Sequence, residues 1–514
     1  MTDQTMPPTD HGGDPQVEFS SAQGRWILLA AILGSGLAGI DATVVNVALP
    51  AIGTDLGAGF AGLQWTVTAY TLTLAAFVLS GGALADRFGR RRIFAIGIIW
   101  FAVASLLCGL APGIGTLVAA RTFQGVGAAL LVPGSLAMIQ SSFVPADRAR
   151  AIGAWSGLGG VATAIGPFLG GWLVESVSWR WVFFINAPLA IVVVAVVWRH
   201  VPETRAPDRE PVDLVGAGLA VLSLAGVTYA LVEQPSRGFG APTVWGAALI
   251  GLAAAVAFLV TQSRLQHPML PLGIFSSAQF SAANAVTFTA YGGFGAVFFL
   301  LVIQLQVVSG FSPLRAGISI LPITLLMLLL SARSGELANR IGPRLQMSVG
   351  PVVCAVGLLL MLRIGPDADY VVDVLPGVGV FGFGLAIMVA PLTATALAAA
   401  PDEHAGLASG VNNAVARAAG LLAIAVLPAV VGIGGADYTD PVAFNNGFDT
   451  SLWIAAGVLT LGACIAAATI SNTILGSDEP AARSSRPKPV SHCAVGGPPL
   501  SVTTRPQGAD RPQA

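Results

Sequence analysis

The sequence is short of charge. Only 10% of its 514 residues are Asp, Glu, Lys or Arg, against about 25% in an ordinary water-soluble domain. It has one lysine, Lys488, beside 24 arginines, and a formal net charge of −1 with no basic patch, which argues against a nucleic-acid partner. It has no C-x-x-C pair: Cys108, Cys354, Cys464 and Cys493 are scattered, three of them in apolar runs where they read as small packing residues. Its five histidines (His11, His200, His267, His404 and His492) fall in tails or loops, which excludes a clustered histidine metal or catalytic site among the apolar runs. No phosphate-cradling glycine loop is present, so ATP is not the energy source, and no catalytic constellation stands out. The first 24 residues are polar and acidic, without the short apolar core and small-residue cleavage site of a removable leader. What the chain has in abundance is apolar residues: 54% of the total, with a mean hydropathy of +0.77.

A helix needs about 20 apolar residues to cross a bilayer. Fourteen runs qualify: 26–48, 63–84, 93–111, 115–141, 149–174, 180–198, 214–233, 243–263, 280–306, 314–335, 346–364, 371–396, 405–432 and 450–473. The chain is therefore expected to be an all-α polytopic membrane protein. With the N-terminus inside and the runs alternating, 19 of the 25 basic residues fall on the cytoplasmic side and four on the other, the bias that orients membrane proteins. Both termini are then cytoplasmic. The arginine-heavy composition suggests a bacterial genome, and hence the cytoplasmic membrane.

The densest charge sits between the second and third runs, Gly81 to Phe94, GGALADRFGRRRIF. The segment GELANRIGPR, Gly335 to Arg344, is a worn copy displaced by 253 residues, and the same offset carries Gly153 and Gly157 onto Gly406 and Gly410. A shared offset at two places implies two homologous halves of six spans. The expected organisation is a disordered tail (1–25), a six-helix bundle (26–200), a linker with two extra spans (201–278), a second bundle (279–473) and a second disordered tail (474–514).

Few residues carry charge inside the runs. Asp41, in GIDATVVNVALP, is about 15 residues into the first. A carboxylate deep in a bilayer costs roughly 2.5–3.5 kcal/mol on insertion scales and usually faces a cavity or a partner, so Asp41 is a candidate to take and release protons. Arg121, in LVAARTFQGVGAA, lies at a matching depth in the fourth run, so a contact with Asp41, direct or through water, is expected, with Gln124 sharing the network. A structural ion pair that locks the bundle is the competing reading. Asn413 and Arg417, four residues apart in the thirteenth run, form a polar patch with Asn412. They are offered, with Tyr291, Asp41, Arg121 and Gln124, as lining a substrate cavity. Other aromatics (Phe288, Phe294, Phe298 and Phe299, with Trp65 and Tyr70) suit a flat or cationic ligand, or simple packing. In the loop, Gly82, Asp86, Arg87, Gly89, Arg90 and Arg91 read as topology anchors, or as a charge latch between helix ends with Asp86 as acceptor. Asn339 replaces that acid in the second half. Gly153/Gly157 and Gly166/Gly170 are G-x-x-x-G pairs expected to let helices approach closely, and Pro167 invites a bend.

Four motifs together resemble the fourteen-span drug:proton antiporters of the major facilitator superfamily, over roughly residues 26–473. They are GIDATVVNVALP; the loop G-x-L-A-D-R-x-G-R-R, filled by Gly82 to Arg91; L-x-x-x-R-x-x-Q-G-x-G-A-A, filled by Leu117 to Ala129; and G-P-x-x-G-G, filled by Gly166, Pro167, Gly170 and Gly171. The last is associated with exporters; the glycine usual four residues earlier is Ala162 here. The resemblance implies two six-helix bundles with two extra spans between them, no cofactor, and alternating access. The proton gradient would drive export of amphipathic, often cationic drugs or toxic compounds, with Asp41 and Arg121 coupling the proton. The partners implied are a small-molecule substrate, protons and the lipid bilayer, with the chain acting as a monomer. A dedicated exporter of one endogenous metabolite or antibiotic, and a proton-coupled importer, are the alternatives; the Gly166–Gly171 motif argues against the latter.

Overall fold

The protein is described here from a computed structural model covering residues 16–205, 212–238, 240–400, 405–434 and 440–475. Residues 1–15 of the expected tail 1–25, residues 476–514 of the expected tail 474–514 and residues 206–211 of the expected linker lie outside the described residues.

Fourteen helices among the described residues are long and apolar enough to cross a membrane. They are α1 (Ala22–Leu56), α2 (Phe60–Phe88), α3 (Arg90–Gly109), α4 (Ile114–Ser142), α5 (Pro145–Ser176), α6 (Trp181–His200), α7 (Leu214–Arg237), α8 (Pro242–Arg264), α9 (Ala278–Val308), α10 (Pro313–Ile341), α11 (Arg344–Arg363), α12 (Tyr370–Ala398), α13 (Gly406–Val431) and α14 (Pro441–Thr469). Each matches one apolar run, with ends fixed by chemistry that hydropathy does not see. Ser277 caps α9, Ser312 caps α10 and Asp440 caps α14, each side-chain oxygen accepting from a first-turn N–H. The largest shift is in α14, which begins at Pro441 rather than near 450. The polar residues Asn445, Asn446 and Asp449 mask its first turns in a hydropathy reading, and the Asp440 cap and Pro441 start it.

The N-terminal segment is tied down from residue 16 on. Val17 donates to Ser142 O at 2.8 Å and accepts from Val144 N at 3.2 Å, while Phe19 N donates to Asp147 Oδ2 at 2.8 Å. Residues 16–25 therefore do not continue the expected tail: α1 already starts at Ala22.

Helices α1–α6 pack on one another, and so do α9–α14. The two groups meet along α2 with α13 and along α5 with α10, pairs that the 253-residue repeat exchanges. At the end of the bundle where α1 passes to α2, one apolar cluster runs through both groups, from Val44, Leu63 and Val67 to Phe299, Leu300 and Phe444. There Phe60 lies edge-on to Phe299 with centroids 5.7 Å apart, and Gln64 Nε2 donates to Ile424 O at 2.8 Å. Gln306 Nε2 reaches Val47 O at 3.0 Å and Leu314 N reaches Glu175 Oε2 at 3.1 Å. Gln306 sits in a π-helical segment, Gln304–Val308, that closes α9; such segments re-aim side chains. This end is called the Phe60 end below, and the opposite one the Asp86 end.

Helix α5 carries two kinds of contact. A Cβ on Gly170 would stand 3.0 Å from Val44 O, and one on Gly166 would collide with Thr43, so these glycines seat α5 against α1. A Cβ on Gly171 would stand 2.6 Å from Leu314 Cα, and one on Gly317 would collide with Pro167 O, so the same stretch also seats α5 against α10. Gly153 and Gly157, expected to do the same, do not: nothing lies within 4 Å of a Cβ at either. Spacing alone gives the same pattern in both pairs; only the neighbours distinguish them.

The two extra helices cross at Gly226 and Gly251, where backbone meets backbone. Helix α7 then lies across the α2–α13 seam. Glu233 accepts from Trp65 Nε1 at 3.1 Å and from Arg237 Nε at 2.7 Å. Helix α8 touches chiefly α7, and Leu249, Leu252, Val256 and Leu259 are exposed on it, as a lipid-facing helix requires.

The glycine–arginine loop is short. Gly89 has φ 112° and takes the bend between α2 and α3. Arg90 pairs with Asp86 at 2.8 Å, within one turn. The α3 N-terminus is met by an acid from elsewhere: Glu203, just past α6, accepts from Arg91 N at 3.1 Å and Arg92 N at 3.2 Å. The second half repeats the device with a neutral residue, Asn472 accepting from Arg344 N at 3.2 Å beside Gly342 at φ 85°. A carboxylate on two first-turn N–H groups also meets the positive end of the helix dipole. Glu203→Ala should therefore lower stability by about 1 kcal/mol, as loss of a cap does. Thermal unfolding in detergent checks this; an unchanged midpoint would mean that Glu203 holds nothing.

Candidate functional site

The buried charges gather in the core of α1–α6. Arg121, two turns into α4, donates Nη1 to Asp41 Oδ2 at 2.5 Å and to Gln124 Oε1 at 2.7 Å, and Nε to Thr66 O at 3.0 Å. Gln124 returns a bond from Nε2 to Asp41 Oδ1 at 2.8 Å, and Asn186 Nδ2 adds another at 3.1 Å. The carboxylate thus accepts from three side chains, two of them neutral. Asp41 and Gln124 are 0% exposed and Arg121 is 1% exposed. The pair is direct, and these three residues stand inside one bundle, walled off from any open cavity.

Local sequence explains the convergence. Gly125 and Gly127 on α4 let the backbone of α2 (at Tyr70) and of α3 (at Phe101) come into contact. The first approach lays the Tyr70 ring under the Arg121 guanidinium, 4.2 Å from ring centroid to Cζ. In α6, Pro188 cannot donate to Phe184 O, and the helix breaks at Ile185 between Trp181–Phe184 and Asn186–His200. The break puts Asn186 among the charges, where it also donates to Ser105 Oγ at 3.0 Å, and Ser105 in turn satisfies Phe183 O at 2.8 Å. Cys108 Sγ approaches Gln124 Oε1 at 3.5 Å. Asn186, Ser105 and Thr66 were not singled out in the sequence. An Asn two residues before a Pro inside an apolar run was the available signal for Asn186; Thr66 takes part through its carbonyl and leaves none.

The second-half residues stand apart from this cluster. Arg417 is half-buried on α13, and its one hydrogen bond among the described residues is from Nε to Asn413 Oδ1 at 3.4 Å. Among the described residues no carboxylate lies within ion-pair distance of it. Asn412 turns instead to α9, donating to Thr287 Oγ1 at 2.8 Å and Asn284 Oδ1 at 3.2 Å. Tyr291 is half-buried on α9, 5.6 Å from the Phe294 ring. The candidate residues thus form two groups, one enclosed in the first half and one along the second half's inner face.

Fourteen membrane-length helices, twelve of them in two six-helix groups that meet along matching pairs, with an ion pair buried inside one group, make the architecture of a membrane transporter. The chain belongs to the Major Facilitator Superfamily, whose family profile matches residues 31–425. It is a transporter and not an enzyme. It is 36% identical over 493 residues to the puromycin resistance protein pur8 of Streptomyces alboniger, covering 92% of this chain and 97% of that one. It is 35% identical to the multidrug resistance protein Stp of Mycobacterium tuberculosis (79% and 75% covered). It is 34% identical to the tetracenomycin C resistance and export protein of Streptomyces glaucescens (79% and 76% covered). Among solved structures, a D-xylose–proton symporter superposes with a TM-score of 0.63 at 17% identity, over 88% of this chain and 99% of that one, which shows the shared fold.

Proposed function

We propose that this protein exports amphipathic drugs or toxic compounds across the bacterial cytoplasmic membrane in exchange for protons, by alternating access. The observation that carries the export reading is that relatives named for drug and antibiotic resistance, one of them also for export, match it along most of their length. The Gly166–Gly171 stretch supports the same reading: one segment of α5 binds both α1 and α10, so a shift between the halves acts on the helix that carries Asp41.

Asp41 is the proton carrier. It is sealed from both sides in this arrangement, so a proton reaches it only as the bundles move, which prevents leakage. Protonation cancels the charge that holds Arg121. The guanidinium then pulls away or finds other acceptors, and Tyr70 beneath it moves with it. The halves touch closely at the Phe60 end, which faces outside in the orientation set by the arginines, so cargo enters from the cytoplasm. With α5 free of close contacts around Gly153 and Gly157, the α5 side of the Asp86 end is where the halves part, while Leu79 on α2 still touches α13 at Gly410. The chain works as a monomer, with no cofactor.

Inside-out vesicles test this. With an acidic lumen, vesicles holding the protein should accumulate tetracenomycin C, and a protonophore should abolish the accumulation. Uptake that ignores the protonophore, or movement that needs an acidic exterior, would overturn the exchange.

A further inference from the structure

The charge of the cargo can be read from what the membrane interior leaves uncompensated. Asp41 and Arg121 cancel each other. Among the described residues Arg417 has no such partner. A guanidinium carries five N–H donors; here one is engaged, at 3.4 Å, beyond the usual bond length. Charges inside a membrane protein are normally paired or aimed at a pathway.

The packing places Arg417 against the seam between the halves. Helices α2 and α13 run antiparallel there. Gln64 meets Ile424 at one end and Leu79 meets Gly410 at the other. Midway along both lie Tyr70 and Thr71 on α2, and Arg417 on α13. On α9, the Tyr291 carbonyl lies 3.7 Å from where a Cβ on Gly420 would stand, about one turn along α13 from Arg417. Tyr70 is 2% exposed, and its hydroxyl is buried without a hydrogen-bond partner among the described residues. An uncommitted cation, a buried hydroxyl and the half-buried ring of Tyr291 thus stand at one level on three adjoining helices, α13, α2 and α9.

We infer that Arg417, with the Tyr70 hydroxyl and Tyr291, forms a recognition site for an acidic group on an aromatic cargo: a carboxylate, or a phenol acidic enough to ionise. This rests on the export reading and names the substrate class for it. An anion supplies the charge that Arg417 lacks, accepts from the guanidinium and the phenol together, and stacks its ring on Tyr291. It is the opposite of the cationic cargo that the aromatic residues first suggested. A cation at the same place meets an unpaired positive charge and is rejected.

Two dyes built on one xanthene skeleton isolate the charge: fluorescein, an anion near neutral pH, and rhodamine 123, a cation. Equilibrium binding to the full chain in nanodiscs, against empty nanodiscs and with no gradient, gives both affinities. The wild type should hold fluorescein at least about tenfold tighter, a margin typical of one well-placed charge contact. Arg417→Gln should erase the preference and Arg417→Lys should keep part of it. If Arg417→Gln does not fold, Tyr70→Phe answers the question: it should cost fluorescein about three- to tenfold and leave rhodamine 123 unchanged, the loss expected for one hydrogen bond. Rhodamine 123 bound as tightly by the wild type, neither dye bound up to about 1 mM, or a preference that survives Arg417→Gln or, where that variant does not fold, Tyr70→Phe would overturn the site. Because no gradient is used, a failure to bind leaves proton-driven export of another cargo intact, and a failure of export leaves the binding result standing.

Discussion

Asp41→Asn abolishes proton-driven export while the protein still reaches the membrane. The substitution keeps the size of the side chain and one acceptor oxygen for Arg121 or Gln124, but removes the titrating group and leaves the guanidinium buried without its counter-charge. Breaking a buried pair from one side costs about 3–5 kcal/mol; the retained hydrogen bonds place this variant near the lower figure. Transport in reconstituted vesicles should fall to background at every pH, and the unfolding midpoint should drop. The double variant Asp41→Asn/Arg121→Gln separates the two effects. With neither charge present, stability should recover by about 2 kcal/mol, since the uncompensated cation is gone, while transport stays absent. Arg121→Lys should keep part of the activity, because an ammonium still pairs with Asp41 but cannot also hold Thr66 O and Gln124 in one plane. Full transport by Asp41→Asn with an unchanged pH profile would remove Asp41 from the coupling.

Gly317→Val is expected to stop transport by a different route. A Cβ at Gly317 collides with Pro167 O, and one on Gly171 of the facing helix would stand 2.6 Å from Leu314 Cα. Backbone cannot yield as a side-chain tip can, and overpacking of this kind costs about 1–3 kcal/mol. The protein can avoid the clash by parting α5 from α10 at the Phe60 end, which denies it one of its two states. Transport should fall at least about tenfold, the factor that 1.4 kcal/mol of lost state stability gives. A cysteine at Leu314, in a background without Cys464, should react faster with an impermeant maleimide. Gly246→Val on α8, where nothing lies within 4 Å of the new Cβ, serves as the control and should transport normally. Normal transport by Gly317→Val, with Leu314→Cys as protected as before, would show that this contact is not part of the cycle.

Sequence and structure divide the account at identifiable residues. The fourteen spans were legible because a bilayer imposes a length and an apolarity on each helix separately. Where local polarity crossed that signal, at Asn445 and Asp449, the boundary of α14 moved. That Asp41 and Arg121 carry charge into the membrane was legible for the same reason, since a charge in an apolar run stands out without any knowledge of its neighbours. Glu203 was not, because an acid in a polar linker looks like any other until it is seen capping α3. Gly153/Gly157 and Gly166/Gly170 look alike as text and differ only in what stands opposite them.

The sequence by itself determined the class of the protein, its helix number, its internal repeat and which residues carry charge into the membrane, because each is a property of one segment against a fixed solvent. The tertiary structure alone decided that the expected contact of Asp41 with Arg121 and Gln124 is direct, sealed inside the first bundle and joined by Asn186, and that among the described residues no acid pairs with Arg417. Those facts depend on which helices adjoin, and hydropathy is blind to adjacency.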